Sequence, residues 1–549
     1  MRIVTDVGVP VVMRDGTTLL ADVHRPDGPG PVPVLLMRTP YDRSMALGNH
    51  FYDGFRFVRE GYAVVVQDVR GRYGSEGEFY PFRNEAADGV DMIAWAARQP
   101  WSTGRVGMIG ASYVGTTQWL PAAEHPPALR AIAPIVTVAD YRDGWVYRGD
   151  AFELGFCLQW TLSLCVDAAD RLVAAGSQPQ ELVERARDAQ DRIESLYGGL
   201  DAETEDLIRM LAPWYDDWRR HPQRDAGWAS IAPDLSPASA VAPALDIGGW
   251  HDIFVVGTLD GFRLQRQAAI AAGRPGPRLV IGPWSHGIYT GMYPGRRYGV
   301  RSAMDVMGVA DEQVRWFDRW LRDRPNGVEE MPPVRVFIMG VDRWRDFDDW
   351  PPQSVVPWTL HLRAGARLSP EPPPADEDPD DLVFDPHRPV PTLGGGTLLM
   401  ASTLGERVGP SDVAALANRE DVLAYQSGPL GEARTIIGPV RLTVHATATA
   451  QSFDLAAQLA DVGPDGRWEL LVSGIQRVRD GDSATERIVE LGSTAATIPP
   501  GHRIGLLLAA SDFPRFDLNP AATAAGGTTI AVEHATLRPS RLVLSMLPD

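Results

Sequence analysis

Arg105-Val106-Gly107-Met108-Ile109-Gly110-Ala111-Ser112-Tyr113-Val114-Gly115 is the stretch on which the fold turns. A short apolar strand runs into Gly110-x-Ser112 and then directly into a helical segment. This is the setting of a nucleophile elbow, a sharp strand-to-helix turn that lifts a serine hydroxyl above the carboxyl edge of a sheet. Glycine two positions before the serine lets strand and helix approach without a Cβ clash. The common pattern has its second glycine two positions after the serine. Here that place is Val114, and Gly115 follows one later. A Gly-x-Ser-x-x-Gly string arises by chance about once in a few chains of this length, so it is weak alone. Its weight comes from what surrounds it.

Residues 3–12 alternate in polarity and pair across Asp15-Gly16 with residues 19–24, which reads as a β-hairpin. Residues 32–37 and 63–67 are continuous apolar runs of the kind buried on both faces of a sheet. Residues 51–60 read as helical, and residues 84–98 place Val90, Ile93, Ala94 and Ala97 on one side of a helix. Strand alternating with helix predicts a mainly parallel sheet covered on both faces. From Tyr141 to Ala240 strands vanish from the pattern and amphipathic helices dominate, before the β/α rhythm returns at 244–247 and 278–281. That block reads as an insertion in the position of a lid. Beyond Pro351-Pro352 short alternating runs prevail, at 440–446, 453–462, 503–509 and 530–537, which predicts an all-β sandwich. The expected organisation is α/β core at 1–140, helical cap at 141–240, core again at 241–352 and sandwich at 353–549.

The chain has 549 residues, which suggests three or four folding units of about 150 residues. Its formal charge is −19, from 52 basic and 71 acidic residues, which disfavours a nucleic-acid or anionic-membrane partner. All 52 basic residues are arginine. With no lysine, Schiff-base chemistry, P-loop lysines and Ser–Lys pairs are excluded. The two cysteines, Cys157 and Cys165, share one apolar stretch and offer neither a disulfide framework nor a metal-ligand pattern. The N-terminal sequence lacks the apolar core of a signal peptide. The longest apolar run, residues 151–166, is interrupted by Glu153 and Gln159 and is too short for a span. A cytoplasmic protein is the expectation.

A serine of ordinary pKa needs a base, and the base needs an orienting carboxylate. On this architecture the partners follow in the order Ser, Asp or Glu, His, on loops after later strands. After the strand at 244–248 comes Gly249-Trp250-His251-Asp252-Ile253-Phe254, and after the strand at 278–281 comes Gly282-Pro283-Trp284-Ser285-His286-Gly287. Asp252 and His286 thus sit on the rim that carries Ser112. His251 competes for the base, but its adjacency to Asp252 points the two side chains apart. The oxyanion needs two donors. One is the backbone N–H of Tyr113. The loop after residues 32–37 reads Arg38-Thr39-Pro40-Tyr41-Asp42-Arg43, without the glycine cluster that often supplies the other. A side-chain donor is required there, and the Tyr41 hydroxyl is the natural candidate. Asp68-Val69-Arg70-Gly71-Arg72 lies near the same rim and reads as a loop-shaping Arg–carboxylate network. Trp145, Trp160, Trp214 and Trp218 in the insertion read mostly as packing, with one or two facing the site.

Thr39-Pro40-Tyr41-Asp42, Gln67-Asp68-Val69-Arg70-Gly71-Arg72, Gly110-Ala111-Ser112-Tyr113-Val114-Gly115, Gly249-Trp250-His251-Asp252 and Gly282-Pro283-Trp284-Ser285-His286 resemble the cocaine esterase / X-prolyl dipeptidyl peptidase family of serine hydrolases. The likeness continues through Val334-Arg335-Val336-Phe337-Ile338-Met339-Gly340 and into Asn418-Arg419-Glu420-Asp421, Pro500-Gly501-His502-Arg503 and Ser511-Asp512-Phe513-Pro514. It implies an α/β-hydrolase core with an inserted helical cap and a C-terminal jelly-roll sandwich. It also implies Ser112 as nucleophile, His286 as base, Asp252 as orienter, and Tyr41 hydroxyl with Tyr113 N–H as the oxyanion hole. In this family the glycine after the nucleophile stands at the third position, which accommodates Val114. The expected reaction is ester hydrolysis through an acyl-enzyme. An amide-cleaving activity (X-prolyl dipeptidyl peptidase, β-lactam acylase or α-amino-acid ester hydrolase) is the rival, and an inert ligand-binding protein the remote one. No metal or cofactor is implied, the expected partner is a small-molecule ester or amide, and a homodimer is compatible with the sequence.

Overall fold

The computed structural model describes residues 2–49, 51–228, 242–399, 407–479 and 486–548. The core is a ten-stranded sheet: β1 (Ile3–Val12), β2 (Thr18–Pro26), β3 (Val32–Thr39), β4 (Ala63–Asp68), β5 (Ser102–Ala111), β6 (Leu129–Ile135), β7 (Leu245–Gly249), β8 (Arg278–Gly282), β9 (Val334–Ile338) and β10 (Arg343–Phe347). Their spatial order is β1-β2-β4-β3-β5-β6-β7-β8-β9-β10. The seven strands from β4 across to β9 run parallel to their neighbours, while β1, β2 and β10 are antiparallel additions at the two edges. The sequence places β4 on one side of β3 and β5 on the other. The chain therefore changes direction at β3, the kind of switch point beyond whose carboxyl ends such sheets place a ligand crevice.

Both faces of the sheet are covered, which is why its strands are apolar runs rather than alternating ones. Val34, Leu36, Val65 and Met108 pack beneath Met92, Ile93 and Ala96 of α1 (Glu85–Ala97) and Trp119 of α2 (Tyr113–Ala122). Leu35, Met37, Val64 and Ile109 point the other way, onto Trp316 and Phe317 of the helix Val309–Arg322. Truncating a side chain as central as Phe317 to alanine costs about 3–5 kcal/mol in such cores.

The segment between β6 and β7 is mainly helical: α3 (Leu154–Ala174), Glu181–Asp191, Ala202–Leu211 and Trp214–Arg220. It is not free of strand, as the sequence pattern suggests. Tyr147–Arg148 and Ala151–Phe152 form a two-residue antiparallel ribbon ahead of α3. Two-residue strands carry too little periodicity to be read from sequence. Residues 229–241, the end of the expected insertion, lie outside the described residues.

From Val356 to Met546 the described residues are mainly β, with eleven strands linked edge to edge and two short helices, Ala414–Ala417 and Pro520–Ala524. The strand Arg434–Ala448 pairs with Glu486–Ile498, Thr528–Val532 and Arg541–Met546, and so ties the layers together. This domain docks on the ribbon and α3. Arg477 donates its N–H to the Gly149 carbonyl (2.7 Å), and Gly155 donates its N–H to the Arg515 carbonyl (3.1 Å). The Phe152 N–H donates to Asp517 Oδ1 (3.0 Å). No helix among the described residues is long and apolar enough to cross a membrane.

His251, just past β7, belongs to this framework. It is 1% exposed, lies over Tyr298 with ring centroids 5.9 Å apart, and makes a 3.1 Å hydrogen bond from Nε2 to the Tyr298 hydroxyl. Burial, helped by the nearby Arg296 charge, pushes its pKa from 6.5 down to about 3. Between those values the unfolded chain binds a proton that the folded chain refuses, so stability is full above pH 6.5 and falls on acidification. The expected slope from this one group is about 1.4 kcal/mol per pH unit. Urea midpoints should therefore fall less between pH 6.5 and 4.5 in His251→Gln than in the parent; identical acid limbs would unlink His251 from acid stability.

Candidate active site

Ser112 joins β5 to α2 with φ 59° and ψ −126°, a positive-φ conformation that a non-glycine residue holds only under constraint. The neighbouring glycines show what the constraint is. A Cβ at Gly110 would stand 2.1 Å from Val114 Cγ1, and one at Gly115 would stand 2.5 Å from Thr137 Cγ2. The second glycine is needed where α2 crosses the loop after β6, not at the Val114 position. The Ser112 N–H is tied to the Ile135 carbonyl at 2.9 Å. Tyr113 opens α2, so its N–H is one of those a helix leaves unpaired, and it faces the start of the helix with the positive end of the dipole. The Tyr113 side chain is fixed from below. Its hydroxyl donates to Glu85 Oε1 (2.9 Å) and accepts the Phe82 N–H (2.9 Å), and Glu85 is paired with buried Arg38 at 2.6 Å.

The loops after β7 and β8 are knitted to each other. Trp250 N–H donates to the Gly282 carbonyl (2.8 Å) and His251 N–H to the Trp284 carbonyl (2.9 Å). Gly249 and Gly282 are glycines because Trp284 lies against both; a Cβ at either would come within 2.3 Å of it. This brings Asp252 and His286 together. His286 Nδ1 lies 2.8 Å from Asp252 Oδ2, and His286 Nε2 lies 3.0 Å from Ser112 Oγ. The second Asp252 oxygen accepts the Phe254 N–H at 2.8 Å, and the Tyr289 hydroxyl donates to the His286 carbonyl at 2.9 Å. A carboxylate only accepts, so Nδ1 carries the ring proton and Nε2 presents its lone pair to Ser112. Asp252 is buried, while Ser112 and His286 keep partial access to solvent. His251, the competing base, is turned away onto Tyr298.

Tyr41 follows β3, the sheet neighbour of β5. Its hydroxyl accepts a hydrogen bond from Trp160 Nε1 at 2.9 Å. The residue as a whole is 36% exposed, but its hydroxyl end is enclosed. Enclosure pushes its pKa up to about 12, against the smaller opposing pulls of the Trp160 bond, the Arg72 charge and the Ser112 hydroxyl. Tyr41 is therefore a neutral donor at neutral pH. The Asp68–Arg72 segment does not place its charges on Ser112. Asp68 holds Arg43, Arg70 pairs with Asp88 (2.6 Å) and Asp15 (2.8 Å), and Arg72 pairs with Asp167 (2.7 Å).

Of the four insertion tryptophans, Trp160 reaches the site, whereas Trp145, Trp214 and Trp218 are fully buried in the aromatic cluster behind it. Phe254 stands edge-on to the His286 ring at 5.3 Å and stacks on Trp145 at 4.7 Å. Leu399, from the β domain, packs into the same cluster as Trp160 and Phe254. The Gly396 backbone in that segment lies on Asp252 so closely that a Cβ there would be 2.8 Å from the Asp252 carbonyl oxygen. Trp160 as a donor, Phe254 and Leu399 had no signal in the sequence beyond their apolarity.

Residues 15–288 match the family model of the X-Pro dipeptidyl-peptidase (S15 family), and residues 326–542 match that of the X-Pro dipeptidyl-peptidase C-terminal non-catalytic domain. A cocaine esterase from Rhodococcus sp. is 35% identical over 544 residues, covering 93% of this chain and 91% of that protein. A putative serine esterase of Mycobacterium bovis is 27% identical over 617 residues, covering 98% and 94%. Among solved structures, an α-amino acid ester hydrolase superposes with a TM-score of 0.81 at 25% identity over 99% of this chain and 96% of that one. The chain thus belongs to the cocaine esterase / X-Pro dipeptidyl-peptidase family of serine hydrolases.

Proposed function

We propose that Ser112, His286 and Asp252 are the catalytic triad of a carboxylic-ester hydrolase, with Tyr41 and the Tyr113 N–H as its oxyanion hole. The single observation that carries this is the continuous hydrogen-bonded row Asp252–His286–Ser112, with contacts of 2.8 and 3.0 Å. The Ser112 oxygen attacks the ester carbonyl carbon as its proton passes to His286 Nε2. The carbonyl oxygen becomes an oxyanion and accepts from the Tyr41 hydroxyl and the Tyr113 N–H. Asp252 stabilises the imidazolium meanwhile. His286 then gives its proton to the departing alkoxide, leaving an acyl group on Ser112. Water repeats the sequence, His286 taking its proton and returning one to Ser112.

Esters rank ahead of amides for two reasons. Phe254, edge-on to the His286 ring, belongs to an aromatic cluster that suits an uncharged acyl group. The esterase relatives are also the more similar ones, a putative Xaa-Pro dipeptidyl-peptidase of Streptomyces avermitilis reaching 24% identity over 79% of this chain. A cytoplasmic setting goes with this reading and is supported by two buried, unbridged thiols, Cys157 and Cys165.

Ser112→Ala should lower aryl-ester turnover by about 10⁴–10⁶; near-parental rates would remove the triad. Tyr41→Phe should lower kcat by about 10²–10³ with little change in KM, since the donor acts mainly in the transition state. An unchanged kcat would return Tyr41 to a packing role. In a panel of aryl esters, X-Pro-anilides and β-lactam amides, the best ester should lead; an X-Pro-anilide hydrolysed as fast would reverse the ranking.

A further inference from the structure

The oxyanion donor stands on an exposed loop, and a phenol O–H rotates freely unless a neighbour fixes it. Two residues outside the triad do so. Trp160, on α3, spends its only N–H on the Tyr41 oxygen, which leaves the Tyr41 proton to point away from the indole. Arg72 is 1% exposed and grips both main chains that carry this pair. Its Nε donates to the carbonyl of Pro40, the residue before Tyr41, at 3.0 Å. Its Nη1 donates to the carbonyl of Leu164, one helical turn beyond Trp160, at 3.3 Å. The remaining nitrogen closes on Asp167 at 2.7 Å, and the Tyr73 hydroxyl holds the same carboxylate oxygen at 2.7 Å.

We propose that Trp160 and Arg72 are positioning residues for the oxyanion hole, the indole setting the direction of the Tyr41 hydroxyl and the guanidinium locking the core loop to the cap helix that carries the indole. The proposal rests on the acyl-transfer reading above. A planar fork with fixed donor directions suits three acceptors on two elements, which a flexible ammonium would not hold in register. The Arg72 charge also acts on the site. It draws the Tyr41 hydroxyl toward its ionised form, so it favours negative charge in the place where the oxyanion develops. The cap is then not only a lid over the crevice. One of its helices aims a donor that the core supplies.

The test is a double-mutant cycle on the full chain with an aryl ester, read as kcat and KM separately and accompanied by thermal unfolding midpoints. Trp160→Phe keeps the ring and removes the N–H; kcat should fall about tenfold with KM changed less than about twofold. Once Tyr41→Phe has removed the hydroxyl, adding Trp160→Phe should cost little more, because the group it aims is gone. Arg72→Lys should show the same pattern, a lower kcat that disappears in the Tyr41→Phe background. If Arg72→Lys does not fold, Asp167→Asn loosens the same guanidinium and takes its place in the cycle. Losses that multiply fully with that of Tyr41→Phe, or that appear in KM alone, would overturn the proposal by making Trp160 and Arg72 general packing or substrate-contact residues. Failure of the triad itself would be seen separately, as activity retained by Ser112→Ala.

Discussion

The turn at Ser112 is a conformation the chain resists, and much of the molecule serves to hold it. A non-glycine residue held at positive φ costs on the order of 1–3 kcal/mol, and it persists only where the surroundings over-determine it. Here a strand sealed on both faces enters the turn, and a helix with every residue buried leaves it. Gly110 and Gly115 allow the two to cross at distances no Cβ would tolerate. The turn then exposes a hydroxyl to the solvent crevice while keeping its own backbone bonded to Ile135. Without close packing on both sides the strain would relax, and the hydroxyl would sink into the sheet edge.

Sheet topology supplies the rest of the site. Because β3 lies between β4 and β5, the loop carrying Tyr41 emerges beside the loop carrying Ser112. Because β7 and β8 are parallel neighbours in register, their loops can bond to each other and present Asp252 to His286. Each functional group leaves the same edge of one sheet, and the precision comes from rigid strands rather than from the loops. Electrostatically the site is built in layers. Tyr41 and the Nε2 of His286 lie beside the Ser112 hydroxyl, while the Asp252, Arg72 and Glu85 side chains are set behind them and paired or hydrogen-bonded.

Much of this was legible in the sequence, for physical reasons that can be named. Continuous apolar runs mark strands covered on both faces, so the parallel core showed itself. Gly110, Gly249 and Gly282 stand out because close backbone approach tolerates nothing larger, and the residues just beyond them, Ser112, Asp252 and His286, are brought together by strand order. Tyr41 is proposed as a donor by asking which side chain could replace an absent glycine loop. What remained hidden depends on contacts between distant segments. Trp160 lies 119 residues from Tyr41 along the chain, on an amphipathic helix where one more tryptophan reads as core. The ribbon ahead of α3 is too short to carry a period. Arg72 read as part of a loop-shaping network, and only its two carbonyl contacts reveal that it joins two elements rather than shaping one.

The contact between Gly396 and Asp252 has a consequence for how such a protein can change over generations. The β domain is separable on paper, since its strands pair mainly with one another and the chain enters it once. Yet its backbone is seated on the residue that orients the histidine, and its Leu399 shares a cluster with the aromatic wall. A recombination seam near residue 352 would therefore bring an unmatched surface against Asp252. A substitution at Gly396 or Leu399, in a domain that carries none of Ser112, Asp252 and His286, bears directly on Asp252 and the aromatic wall.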